Sequence, residues 1–251
     1  MCTLIVSFQQ HPNAPVLVAA NRDELRGRPA SAPRRWPGED FVAPRDEQAG
    51  GTWLGLTKTG LFVAVTNRYP SDRHPDRESR GTLVVEALRA PSAHALRAQL
   101  EGLPAGRFNT FHLLYADSRH AFVTWNDGVE IRHASLTPGV HVVTERSLGG
   151  DDQGRTNLIQ SLWPKLALDE TGTPTSAALQ SLLAQRNPSA PAGSVCVDVP
   201  EWGYGTRSSL VLFVRPELAE SRWYWAEGRP DQTPFVEQPQ LISALASARG
   251  S

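Results

Sequence analysis

Apolar and polar positions along the chain predict strands at both ends, with helical groups set between them. Residues 2–8 are a nearly unbroken apolar run, and 16–20 repeat it after a turn at His11, Pro12 and Asn13, which predicts a hairpin of buried strands. From 25 to 37, Pro29, Pro33 and Pro37 predict irregular chain and exclude a regular helix. Apolar stretches at 50–56 and 61–66 flank Lys58-Thr59-Gly60 and predict strand, turn, strand. The polar, proline-containing stretch 69–80 predicts a surface loop.

Helical spacing appears at 83–89 and at 93–100, the second behind Ser92 as N-cap. Strand patterns return at 111–115, 121–125, 129–133 and 140–144, followed by helices at 157–166 and 177–186. Strands at 195–197, 209–214 and 222–225 and a helix at 240–248 close the chain. Helices and strands do not alternate one for one, which argues against a doubly wound parallel sheet. An α+β arrangement of layered antiparallel sheets covered by helices fits better. Nothing reads as a linker, so 1–251 is expected to be a single domain.

Composition narrows the class. The 251 residues are 40% hydrophobic and 20% charged with a net charge of −1, so the basic excess of a nucleic-acid binder is missing. No apolar run approaches the ~20 residues of a membrane-spanning helix, so no membrane insertion is expected. The opening residues lack the basic region of a secretory leader, and a cytoplasmic location is the expectation. Seven histidines show no metal-ligand spacing, and no metal or cofactor is expected; His112 and His141 read as core residues. Cys196, between Val195 and Val197, reads as an inert buried thiol, and two cysteines do not make a disulfide framework. Dinucleotide, P-loop and serine-hydrolase motifs are absent. Oligomeric state is not legible.

The candidate chemistry begins at Cys2, directly behind Met1. Removal of Met1, favoured by a small second residue, would leave a thiol with pKa about 8.5 and an α-amine at roughly 7.7 to 8 on one residue, a nucleophile with its own base. A small second residue by chance is the alternative. The second expected strand ends in Asn21-Arg22-Asp23-Glu24, which a hairpin would bring close to Cys2. Asp23 could hold the terminal ammonium there, and Arg22 could favour the thiolate. A solvated turn with an Arg–Asp pair worth ~0–1 kcal/mol is the other reading. Trp53, behind Gly50-Gly51-Thr52, is either a core aromatic or a pocket wall. Trp202, in Glu201-Trp202-Gly203-Tyr204, could line a pocket for an apolar ligand.

Taken together, Met-Cys-Thr at the start, Asn-Arg-Asp-Glu at 21–24, Gly-Gly-Thr-Trp-Leu-Gly at 50–55, Val-Thr-Asn-Arg at 65–68, Ser-Arg-Gly at 79–81 and Tyr-Gly-Thr-Arg-Ser-Ser at 204–209 resemble the NRDE family. That family is also called the transport and Golgi organisation protein 2 family, and the matches run in order over roughly the whole chain. It is related to the N-terminal nucleophile hydrolases, most closely the choloylglycine hydrolase and penicillin V acylase group. The resemblance implies a four-layer αββα sandwich and amide hydrolysis through an acyl-enzyme. It implies Cys2 as nucleophile, Asp23 beside its amine, Asn67 as oxyanion-hole donor and Arg207 as a late active-site arginine. Asn21, Arg22, Trp53, Arg68, Glu145 and Trp202 are the expected substrate-binding residues.

Two positions depart from the acylase pattern. Their arginine lies three residues before the aspartate, where this chain has Ala20, so Arg22 is a shifted substitute. Their second oxyanion asparagine corresponds to Glu145, which when ionised donates no hydrogen bond. One lost donor of this kind costs ~2.7 to 4 kcal/mol of transition-state stabilisation. Two functions are therefore carried forward, an N-terminal cysteine hydrolase of a small amide and a binding or trafficking protein for haem or a lipid-like ligand. The first requires the intact mass of the purified protein to lack Met1; quantitative retention would block the amine and exclude it.

Overall fold

Strand β1 (Cys2–Phe8) and strand β2 (Val16–Leu25) are covered on both faces, which explains why their sequences are nearly continuous apolar runs. In this computed structural model, which describes residues 2–69, 74–148 and 153–247, they pair antiparallel from Cys2 opposite Arg22 to Phe8 opposite Val16. The chain continues through β3 (Ala30–Arg35), β4 (Phe41–Asp46), β5 (Leu54–Thr57) and β6 (Phe62–Asn67) to helices α1 (Arg80–Ala87) and α2 (Ala93–Gln99). Strands β7 (Phe111–Ala116), β8 (Ala121–Asn126), β9 (Ile131–Ser135) and β10 (Gly139–Val143) follow, then helices α3 (Gln153–Leu162) and α4 (Ser176–Leu183). The last elements are β11 (Asp198–Val199), β12 (Tyr204–Val214), β13 (Arg222–Ala226), β14 (Val236–Glu237) and α5 (Pro239–Ala246).

Two antiparallel sheets result. One runs β10-β1-β2-β12-β13-β14 with β11 attached to β12, and the other runs β3 through β9 in sequence order. Period-two alternation splits β1 between two cores. Leu4, Val6 and Phe8 face the second sheet, meeting Leu56, Phe62 and Leu114, while Ile5 faces Ile159 of α3 and Leu179, Leu182 and Leu183 of α4. On the far side α1 and α2 cover the second sheet through Leu83, Val84 and Leu96 against Phe41, Val63 and Leu113. The layers are helix, sheet, sheet, helix, the αββα sandwich expected. Each fully buried Leu, Ile or Phe contributes about 1.5–3 kcal/mol, so the sheet-to-sheet interior is the main favourable term.

Three expectations need correction. The stretch expected to be irregular between 25 and 37 holds β3, and β4 follows it directly. Its prolines misled because β3 is an edge strand whose register shifts between Ser31 and Arg34, around Pro33, where a missing N–H costs little. Residues 195–197 are buried but not a strand; Cys196 N–H donates to Gln185 O at 2.8 Å and Val197 N–H to Thr206 Oγ1 at 2.9 Å. Within the 69–80 loop, residues 70–73 lie outside the described residues and α1 begins already at Arg80, while the closing helix ends at Ala246, with 248 also undescribed. Among the described residues no helix is long and apolar enough to cross a membrane.

One close approach sets the entry to Trp53. Gly50 has φ +75°, and a Cβ on Gly51 would sit 2.4 Å from the carbonyl carbon of Gly81, the second residue of α1. Only glycine lets the start of α1 and the segment leading into β5 meet there. Gly51→Ala is expected to lower stability by about 1–3 kcal/mol through overpacking. The denaturant midpoint measures this, and an unshifted midpoint would contradict the close packing.

Candidate functional site

The strand register assembles the site. Cys2 lies opposite Arg22, and Arg22 opposite Ser208 of β12, so three neighbouring strands present these side chains on one face, in line with Leu4, Ala20 and Leu210. That face looks into the space between the sheets. There Cys2, Arg22 and Ser208 border a narrow cleft closed by Trp53, Leu54, Ala64, Val65, Thr66 and Trp225. Its volume of about 20 Å³ is room for roughly one water.

Cys2 is half-buried at the strand end. Burial pushes its thiol pKa up and the Asp23 carboxylate adds to this, while the Asp23 backbone N–H and the Arg22 guanidinium pull the other way. A thiol so raised needs a nearby base to ionise. Arg22 is 7% exposed, and its guanidinium carbon lies 4.1 Å from the Trp53 ring centroid. Its nearest carboxylate oxygen, Glu24 Oε2, is 4.0 Å away. Stacking on indole keeps a desolvated cation at the cleft wall.

Asp23 is buried on the neighbouring face. Oδ1 accepts from Thr206 Oγ1 at 2.6 Å, and its main-chain carbonyl accepts from the Tyr204 hydroxyl at 2.7 Å. Oδ2 is buried with no hydrogen-bond partner among the described residues. Burial raises the Asp23 pKa to about 6, against the opposing charge of Arg155.

Arg155 is the residue that sequence reasoning missed. It is 2% exposed on α3, donates through Nη1 to Thr3 Oγ1 at 3.1 Å and through Nη2 to Ala192 O at 2.8 Å, and stands 3.6 Å from Glu145 Oε2. It therefore joins the residue after Cys2 to Glu145, and its charge also acts on Asp23. The helix was expected from 157, which left Arg155 in the preceding loop. The signal was present: Arg155, Ile159 and Leu162 share one helix face at i, i+4 and i+7, and a charge on an apolar face requires a buried partner.

The other expected residues separate into groups. Trp53 walls the narrow cleft. Asn67, Arg68, Glu145 and Trp202 line a second, open cleft of about 300 Å³ with Tyr69, Arg146 and Tyr204. The clefts adjoin on β6, where Thr66 borders one and Asn67 the other. Asn21 borders the narrow cleft, and its side chain is engaged on the helix side: its Nδ2 donates to Leu183 O at 2.9 Å and Val195 O at 2.8 Å, and its Oδ1 accepts from Ser209 Oγ at 2.6 Å. One step out of phase with Arg22, it faces the helix layer and clamps α4. Arg207 lies at the register shift of β12. The bulge between Thr206 and Ser208 takes it out of alternation, and its guanidinium donates to the carbonyls of Leu25 and Arg26, bordering neither cleft.

His112 is buried, bonded to Thr66 Oγ1 and Ser147 O, and burial lowers its pKa to about 4; it serves the core. Cys196 is fully buried, its pKa pushed up to about 12 by burial and Asp231. Among the described residues no group of three or more His, Cys, Asp or Glu could hold a metal ion.

Residues 1–224 match the family model described as Transport and Golgi organisation 2. The chain is 26% identical to the Transport and Golgi organization protein 2 homolog of Bos taurus over 246 residues, covering 85% of this chain and 88% of that protein. The Homo sapiens homolog is 25% identical over 252 residues, with the same coverage. Among solved structures, a mutant conjugated bile acid hydrolase from Clostridium perfringens superposes with a TM-score of 0.53 at 12% identity, covering 96% of this chain and 93% of that one. The Caenorhabditis elegans ortholog of N-acylethanolamine-hydrolyzing acid amidase superposes with a TM-score of 0.50 at 13% identity, covering 94% and 100%. At these identities the structural likeness is one of fold.

The raised Asp23 pKa has a stability consequence. A carboxyl whose folded pKa exceeds its unfolded value favours the fold while protonated, and that contribution disappears as pH rises through the folded value. At roughly 1.4 kcal/mol per pH unit between 3.8 and about 6, about 3 kcal/mol is lost across this window. Urea titrations of the chain retaining Met1 are expected to show the loss, and Asp23→Asn to remove it. Identical slopes in both proteins would contradict the assignment.

Proposed function

The chain belongs to the Transport and Golgi organisation 2 family, and from that premise we propose that it is an N-terminal cysteine hydrolase cleaving the non-peptide carbon–nitrogen bond of a small amide. The observation that carries this reading is the buried Asp23 Oδ2, which has no hydrogen donor among the described residues, on the residue whose N–H faces the Cys2 thiol. Such an orphaned carboxylate oxygen is costly, and an α-ammonium on Cys2, created by removal of Met1, is a donor that would satisfy it. The two structural neighbours are named for hydrolysing conjugated bile acids and N-acylethanolamines, which supports an amide as the bond attacked.

In this mechanism the free α-amine takes the thiol proton and the thiolate adds to the amide carbonyl carbon. Asn67 and a backbone N–H receive the oxyanion, and Arg22 supplies positive charge beside the sulfur. The carbon–nitrogen bond breaks as the ammonium returns its proton to the leaving nitrogen, and the amine departs. Water then adds to the thioester, giving up its proton to the α-amine. The carbon–sulfur bond breaks, the carboxylic acid leaves and the thiol is restored.

A second reading, a carrier of haem or another hydrophobic ligand, is favoured by the acceptor-only Glu145 and the 63% exposed Trp202 on the open cleft. The test is a panel of acyl amides incubated with the mature protein. The hydrolase reading expects an adduct of one acyl group mapped to Cys2, with turnover falling on the order of a million-fold in Cys2→Ala. Saturable haemin binding unaffected by Cys2→Ser, with no adduct from any amide, would replace it with the carrier.

A further inference from the structure

The two clefts differ in size, wall chemistry and openness, and together they describe a substrate. We propose that the amide taken by this site joins a short, slim acyl group to an amine that carries an anionic group. This rests on the hydrolase reading and specifies its substrate class.

The acyl side follows from the narrow cleft. Its walls are mostly apolar, from Leu4, Ala20, Leu210 and Trp225 on the nucleophile's sheet to Leu54 and Ala64 across from them, and its volume is about 20 Å³. A methyl or ethyl group replaces the roughly one water this space holds. A long chain would have to push apart sheets whose facing side chains are already in contact, and close-packed interiors resist such insertion.

The amine side follows from the open cleft. Arg68 donates through Nη1 to Tyr69 O at 3.2 Å and through Nη2 to Leu148 O at 2.9 Å, but its Nε is buried with no hydrogen-bond partner among the described residues. Arg146 lies with its guanidinium carbon 4.0 Å from the Tyr69 ring centroid. Among the described residues neither arginine forms an ion pair, and Glu145, the carboxylate of this cleft, faces Arg155 instead. Two guanidiniums at one 300 Å³ cleft recognise a carboxylate or another oxyanion, and the exposed Trp202 offers a flat apolar wall beside them.

Order of departure assigns each half. The acyl group stays on Cys2 as the thioester while the amine leaves and water enters, so the closed cleft suits the acyl group and the open one the amine.

The test uses mature protein and 4-aminobenzoate acylated with acetyl, butyryl, octanoyl or dodecanoyl groups, beside the same series on neutral 4-aminobenzamide, reading the released amine. The expected result is kcat/KM at least tenfold higher for the acetyl than the dodecanoyl benzoate, and at least tenfold higher for acetyl benzoate than acetyl benzamide. Arg68→Met should raise KM for the anionic amide at least tenfold more than for the neutral one, and Arg68→Lys should recover some of that difference. Equal or better turnover of dodecanoyl or neutral amides would overturn the proposal. Equilibrium binding of the acetyl and dodecanoyl pairs to Cys2→Ala keeps the two readings apart. Absence of turnover with tight, Arg68-dependent binding of the short anionic compound defeats the hydrolase reading alone, whereas binding indifferent to charge or favouring dodecanoyl defeats the substrate class.

Discussion

Antiparallel pairing of β1, β2 and β12 is the constraint on which the site depends. The apolar lengths of these strands lock the register, because a one-residue slip would turn every core side chain toward the wrong layer. Their polar ends have no such freedom to choose neighbours. Cys2, Arg22 and Ser208 fall in one row facing the opposite sheet, while Thr3, Asn21 and Ser209 fall in the next row facing the helices. Hydrophobic packing several residues away thus fixes which polar groups meet the thiol.

Charge balance is the second constraint. Asp23 and Glu145 are both buried, and isolated carboxylates there would be costly to ionise. Arg155, reaching in from α3, supplies the compensating charge and ties it to Thr3, next to Cys2. Glu145 reads differently in this light. Set against the acylase pattern it is a lost oxyanion donor, yet in the fold it is the partner of an arginine the acylase motifs did not point to. Arg22 has a related character, a cation held at the cleft by an indole face and a carboxylate at 4.0 Å.

The sequence made the sandwich legible where burial leaves a periodic trace. β1, β2, β6 to β8 and β12 were visible as apolar runs, and Ser92 as a helix cap was confirmed by its bond from Ala95 N–H at 3.1 Å. β3 was hidden because proline at a sheet edge reads as loop. The site was half legible. Strand pairing could be inferred from the hairpin, which put Arg22 and Asp23 near Cys2, but phase decided the rest: Asn21 sits one position away and faces the other layer. The direction of Arg207 is not legible, because a bulge leaves no trace in the residue pattern. Arg155 is hidden because α3 begins at Gln153, ahead of the apolar spacing that marks the helix from 157.

The narrow cleft and the open one meet at Thr66 and Asn67, beside a sulfur whose own burial makes it a poor nucleophile without a base. That base is the centre of the account. A crystal structure of the protein purified without Met1 tests it most directly. The account predicts the α-nitrogen of Cys2 within about 3 Å of Asp23 Oδ2, with the sulfur facing the inter-sheet cleft. An α-nitrogen turned to solvent, with Oδ2 bound to some other donor, would contradict it.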